Sequence, residues 1–303
     1  PVLQGGVQML GKLIKHDFRS LSRILLPTQI AVLGATILAT LGFVFNYRIG
    51  YSNLNENGLV QLLQLITGFL SVVMVLAIIA SAVLVAFIIF QRFYKNLMCS
   101  EGYLTLTLPV STSEILWSKL ITAMLWTIIS SVVIFISINI FVMFGTAENG
   151  IVNTEVYKQI GYALHEVDRV IGARIIWPIL EFALLMLIGT AYSILQVYLA
   201  LIIGGMVSQK HKILASIGFY FVIQIAVGIL SSIANFFLAG SMTNTMMNLD
   251  GANFETQNVL EIYNILIGAV QPYFWFYIVF SLAITAGFFL LSNYFLKNKL
   301  NLE

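Results

Sequence analysis

Six stretches of this 303-residue chain, at about 25–45, 65–91, 117–144, 176–206, 213–239 and 270–296, are continuously apolar, and each is long enough for a helix to cross a bilayer, which takes roughly 20 such residues. No other feature narrows the fold as far. In hydrocarbon every backbone N–H and C=O must find its partner within the protein, so only helices and closed barrels span a membrane. A barrel strand alternates apolar and polar residues; these runs do not. The expected fold is therefore all-α, a polytopic membrane protein with six transmembrane helices. Composition agrees, with 59% hydrophobic and only 9% charged residues, against roughly 25% charged in a soluble domain. So little charge cannot coat a water-facing surface, which excludes a soluble enzyme.

Positive charge sets the expected orientation. With both termini in the cytoplasm, Lys12, Lys15, Arg19, Arg23, Arg92, Lys95, Lys119, Lys210, Lys212, Lys297 and Lys299 fall inside, eleven of the fifteen basic residues. The loops expected to be extracellular, 145–175 and 240–269, carry Glu148, Glu155, Glu166, Asp168, Asp250, Glu255 and Glu261. Pro27, Pro178 and Pro272 are each expected in the first turn of a span, where a missing N–H costs little. Trp177 and the aromatic cluster Tyr273 to Tyr277 read as interface anchors.

Several chemistries are excluded by what the chain carries. The net charge of +2 comes with no basic run beyond Lys210-His211-Lys212, so no nucleic-acid partner is expected. A single cysteine, Cys99, rules out an internal disulfide and a cysteine zinc cluster. His165-Glu166 begins like a zinc-binding H-E-x-x-H, but Arg169 occupies the second ligand position. No metal site is expected. Residues 1–8 precede Met9 and show no basic-then-apolar signal pattern; Met9 is expected to be the native start and the octet an added remnant, leaving 9–303 as a single transmembrane domain.

Two segments outside the spans are amphipathic. Residues 9–24 place Leu10, Leu13, Ile14, Phe18, Leu21 and Leu25 on one helical face and Lys12, Lys15, Arg19 and Arg23 around the rest. The expectation is an interfacial helix with its apolar face in the inner leaflet; the alternative is a plain extension of the first span. Residues 153–172 carry Val156, Ile160, Ala163, Leu164, Val167 and Ile171 as a second stripe, expected to lie on the membrane or against the bundle. The loop at 241–269 turns apolar from Val259, where a short helix is expected before the sixth span.

The segment 92–116, between the second and third spans, is more elaborate than a hairpin requires. Glu101-Gly102 breaks a helix, Tyr103 to Leu108 alternates apolar residues with Thr105 and Thr107, and Pro109 ends the segment. Ser111 or Ser113 can cap the next helix, with Glu114 in its first turn. Such an elbow is a candidate docking surface for a soluble partner.

Tyr94-Lys95-Asn96-Leu97, followed by Glu101-Gly102-Tyr103-Leu104-Thr105-Leu106-Thr107-Leu108-Pro109-Val110, resembles the cytoplasmic loop of ATP-binding-cassette (ABC) transporter permeases of the type-2 exporter class, Gram-positive bacterial type. The start at Met9-Leu-Gly-Lys-Leu-Ile-Lys-His-Asp-Phe18 is similar to that group as well, while Cys99-Ser100 stands where more polar or acidic residues are usual. The resemblance implies a cytoplasmic coupling helix that seats in a partner ATPase, with Glu101, Gly102, Tyr103, Leu104 and Thr105 at or beside the contact. It implies a second permease chain, identical or paralogous, and a bacterial plasma-membrane location. The chain has no G-x-x-x-x-G-K-[ST] phosphate loop. It is therefore not expected to be an enzyme by itself: ATP and Mg would sit on the partner subunit, and this chain would bind no cofactor. Ser208 to Lys212 is a second, smaller candidate contact.

Within the spans the polar residues are few. Glu181 is the clear ionisable case, a functional hypothesis by default, with an ion pair to Arg174 as the structural alternative. Gln196, Gln224 and Asn235 are candidates to line a substrate path, although interhelical hydrogen bonding is the commoner use of such groups. With so many Phe, Met and Leu neighbours the expected cargo is hydrophobic or amphipathic: a peptide, drug or lipid moved out of the cytoplasm. The competing readings are an ion-coupled secondary transporter, which wants more buried charge, and a non-transport membrane scaffold or sensor component.

Overall fold

A computed structural model describes residues 2–50, 58–98, 110–145, 154–208, 210–250 and 259–298. They form seven α-helices: α1 (Val2–Gly50), α2 (Gly58–Met98), α3 (Thr112–Ile140), α4 (Thr154–Ile171), α5 (Ile176–Val207), α6 (Lys212–Asp250) and α7 (Val259–Asn298). A π turn (Phe141–Gly145) follows α3 and a 3-10 turn (Gly172–Ile175) precedes α5. Among the described residues there is no strand. All but α4 are long and apolar enough to cross a membrane, and the six expected spans fall on these six helices. Phe69, Phe135 and Phe236 are 68%, 68% and 78% exposed, an arrangement that water penalises and lipid does not. The chain is a multi-pass, all-α membrane protein.

The helices outrun the apolar stretches. At 1.5 Å per residue α1 is about 73 Å long, more than twice the roughly 30 Å hydrocarbon core. A helix pairs its own backbone whether its side chains face lipid or water, so the polar flanks stay helical. For the same reason α6 continues to Asp250 through the first part of the expected 240–269 loop, and the helix expected from Val259 is continuous with the sixth span. Pro178 does lie in the first turn of α5, but Pro27 and Pro272 sit inside continuous helices. Membrane helices tolerate this when neighbouring groups satisfy the freed carbonyl, which for Pro27 is that of Arg23; one residue on, Thr28 Oγ1 donates to the Ile24 carbonyl at 3.0 Å.

Residues 9–24 are helical and amphipathic, and they run into the first span without a break. Their inward face is covered by protein: Leu21 and Leu25 are buried, and Leu10, Leu13, Ile14 and Phe18 half-buried. In α4 the stripe residues Ile160, Ala163 and Leu164 are exposed.

The chain packs as two compact units, one of Pro1–Arg92 with Ile121–Ala163, the other of Phe93–Leu120 with Leu164–Glu303. The first is built on seams of α1, α2 and α3. On α2 the buried residues Val60, Thr67, Met74 and Ser81 recur every seven positions, then Val85 and Ile89 every four, the spacing that keeps one stripe against neighbouring helices. Gly42 lets α1 approach α2 closely, since a Cβ there would lie 2.9 Å from Thr67 Cγ2. Asn46 Nδ2 donates to Thr67 Oγ1 beside it, at 2.9 Å. A polar node joins all three helices: buried Gln29 donates through Nε2 to Ser130 Oγ at 2.9 Å and Ser81 Oγ at 3.4 Å. Nearer the start of α1, Phe18 stacks on Trp126 with centroids 5.1 Å apart, and Arg92 Nη2 donates to buried Asp17 Oδ1 at 3.1 Å.

The second unit is organised around α5, the most buried span, with α6 and α7 packed on it. Its C-terminal half, Ile194 to Gly204, is buried almost throughout, whereas most of its N-terminal half is exposed. A tight turn joins α5 to α6: Ser208 N–H donates to the Gly204 carbonyl at 3.1 Å, and Ser208 Oγ accepts from the His211 N–H at 3.1 Å.

Candidate functional site

The elbow's two stems lie in the second unit, and both are anchored. The last turns of α2 bury Phe93 and Leu97, while Lys95 stays exposed. The first turns of α3 bury Ile115, Leu116, Ser118, Lys119 and Leu120. Both stems meet α5 at Tyr198. Its ring stacks on Phe93 with centroids 3.7 Å apart and planes 11° from parallel, and each of the two residues is only 1% exposed. The Tyr198 hydroxyl reaches 3.5 Å from the Lys119 carbonyl on α3. The end of α7 closes the fourth side. Thr112 Oγ1 donates to Asn293 Oδ1 at 2.8 Å, and Trp117 lies against Phe289 with centroids 4.8 Å apart.

The re-entry into α3 is fixed by a reciprocal cap. Ser111 Oγ accepts from the Glu114 N–H at 3.3 Å, while Glu114 Oε2 accepts from the Ser111 N–H and Oγ, both at 2.9 Å. Both partners of this capping box satisfy backbone donors that the first turn would leave open. Of the two expected caps it is Ser111 that fills the role. The elbow residues Glu101, Gly102, Tyr103, Leu104 and Thr105 lie outside the described residues. What is placed is the pair of stems that flank them.

The polar residues of the spans are brought together in pairs rather than into one site. Gln196 Nε2 donates to Gln224 Oε1 at 2.6 Å, linking α5 to α6. The Tyr277 hydroxyl donates to Asn235 Oδ1, linking α7 to α6. Gln271 Nε2 donates to Glu181 Oε1 at 3.3 Å, linking α7 to α5. Each pair of the three helices is thus joined by a polar contact, the use of such groups that lipid favours. Glu181 and Gln196 are about 22 Å apart along α5. The alternative ion pair does not form: the Arg174 side chain is exposed, and its carbonyl accepts from the Tyr263 hydroxyl at 3.2 Å. Ser208 to Lys212, the second candidate contact, contributes the α5–α6 turn.

Three further groups carry weaker signals in the sequence. Arg92 reads there as a topology marker, although its partner Asp17 is the one acid among Lys12, Lys15, Arg19 and Arg23. Gln29 continues the i, i+4 series of Leu21 and Leu25, which marks it as a polar residue on the buried face. Gln271 lies beside Pro272 and was hidden by the aromatic cluster after it. Among the described residues no three His, Cys, Asp or Glu side chains gather where they would hold a metal ion. No protein-family model matches the chain, and neither a curated protein nor a solved structure does.

Proposed function

We propose that this chain is the membrane-spanning permease subunit of an ATP-driven exporter, energised by a separate ATPase that docks on the loop between α2 and α3. One observation carries the reading. Both stems of that loop are seated, through Phe93, Leu97, Ile115, Leu116 and Tyr198, in the best-buried part of their unit. A partner that pushes on a loosely held hairpin moves only the hairpin. A partner that pushes on stems stacked against α5 and tied to α7 moves spans, because packed interiors transmit displacement rather than absorb it. The resemblance of residues 94–110 to the coupling loop of type-2 ABC exporter permeases supplies the partner's chemistry. The charge bias supports cytoplasmic termini and a cytoplasmic elbow, and the resemblance supplies the plasma-membrane location. The functional unit on this reading holds two such chains, identical or paralogous, and two ATPase subunits carrying ATP and Mg, and its cargo is hydrophobic or amphipathic.

The test is a photo-crosslinking amino acid placed at Tyr103. It is expected to capture a subunit that carries a phosphate loop and hydrolyses ATP, and replacing Glu101 should weaken that capture. Capture that is absent at Tyr103 in membranes where the ATPase is present would count against the reading.

A further inference from the structure

Glu181 is a carboxyl group inside a membrane-spanning helix, and it is only 6% exposed. Its neighbours Ile179, Leu180 and Phe182 are all about half exposed or more, so the acid is turned into the contact between α5 and α7 while its flanks are not. Among the described residues it has a single polar partner, the neutral amide of Gln271, on one oxygen, and its other oxygen meets no hydrogen-bond donor or cation. Arg174, in the 3-10 turn that precedes α5, is exposed. A carboxyl taken out of water is tolerated when it keeps a proton or when a cation matches it. Aromatic residues flank the group. Trp177, 67% exposed, precedes Glu181 by one turn on α5, and Phe274 and Trp275 follow Gln271 by one turn on α7. Aromatic faces attract cations and cover apolar surface at once.

We infer that Glu181 and Gln271 form a subsite for the cationic group of an amphipathic molecule, with the Trp177 and Phe274–Trp275 positions receiving its apolar body. The carboxylate pairs with the charge, the Gln271 amide holds the carboxylate in place, and the mostly exposed N-terminal half of α5 leaves the approach open from lipid. The inference names the cargo class of the proposed exporter and rests on that reading for the step from bound ligand to cargo. Binding itself needs no ATPase.

The experiment uses the purified full chain in lipid nanodiscs and two probes of the same shape and opposite charge, tetraphenylphosphonium and tetraphenylborate. Tetraphenylphosphonium is expected to bind saturably, and Glu181→Gln, which keeps the shape and the acceptor for Gln271, is expected to weaken it at least tenfold. In the unmodified chain the same probe is expected to slow carbodiimide labelling of Glu181, read by mass spectrometry, while tetraphenylborate leaves labelling unchanged. Equal binding by wild type and Glu181→Gln, equal protection by both probes, or no saturable binding of the cation overturns the subsite. Its loss leaves the Tyr103 crosslink untouched, so the two claims fail separately.

Discussion

Gly204→Ala isolates how tightly α5 and α6 are held beside the elbow's seat. A Cβ at Gly204 would lie 2.5 Å from Ser216 Cα and closer still to Ser216 N and Oγ, where ordinary contact begins at 3.4 Å. Relief at the Cα alone takes 0.9 Å of separation, the difference between those two distances. Backbone cannot swing aside as a side-chain tip can, and the Ser208–His211 turn leaves no slack to absorb the shift. Parting the helices unpacks the Leu199 to Ile202 stretch, so the cost belongs at the upper end of overpacking, about 3 kcal/mol. That corresponds to a fall of roughly 6–12 °C in the unfolding midpoint, measurable by thermal unfolding in detergent. Trimming the neighbour in Gly204→Ala/Ser216→Gly should restore little, because N and Cα remain. Gly189→Ala, on the same helix with nothing within 4 Å of its Cβ, should be neutral or slightly stabilising. A Gly204→Ala protein as stable as wild type, or one fully rescued by Ser216→Gly, would refute the close-approach argument.

Three further perturbations test other parts of the account. Arg92→Ala leaves buried Asp17 without its guanidinium partner and should destabilise by about 3 kcal/mol; Arg92→Ala/Asp17→Asn should recover part of it, and a double-mutant cycle in thermal unfolding measures the coupling. Ser111→Ala removes one side of the capping box and should cost about 1 kcal/mol, seen as faster amide exchange in the first turn of α3 with no change at the far end of that helix. Gln29→Leu strips the donor from Ser81 and Ser130; because both serines can rebond within their own helices, the expected loss is modest, about 1 kcal/mol, and a loss several times larger would show that the node holds the three helices in register.

The spans were legible because bilayer thickness and backbone pairing leave a chain with six long apolar runs almost no other fold. Helix ends were not, since Pro27, Pro272 and Ser241 to Asp250 look like boundaries yet lie inside helices that pair their own backbone. A cap at Ser111 or Ser113 was legible from the serines before Glu114, which is local chemistry; the hydrogen bonds single out Ser111. The packing of the stems was not legible, because Phe93 and Tyr198 come together from helices far apart in sequence, and each reads alone as another apolar residue in a greasy run. Gln196, Gln224, Glu181 and Asn235 were legible as polar exceptions. Their pairing was not, because it depends on helix rotation and register, which hydropathy does not encode when a helix such as α6 is apolar all round.

The proposed function has the elbow between the two seated stems receive force from an ATPase. The most direct measurement is purification of the tagged chain from its native membranes in mild detergent with Mg and ATP, followed by mass spectrometry and an ATP-hydrolysis assay on the eluate, for wild type and Glu101→Ala/Tyr103→Ala. The account predicts a near-stoichiometric phosphate-loop ATPase and hydrolysis with wild type, both lost in the double variant while the membrane chain itself remains folded. A wild-type chain that elutes without an ATPase and without hydrolysis, or an ATPase held equally well by the double variant, would contradict it.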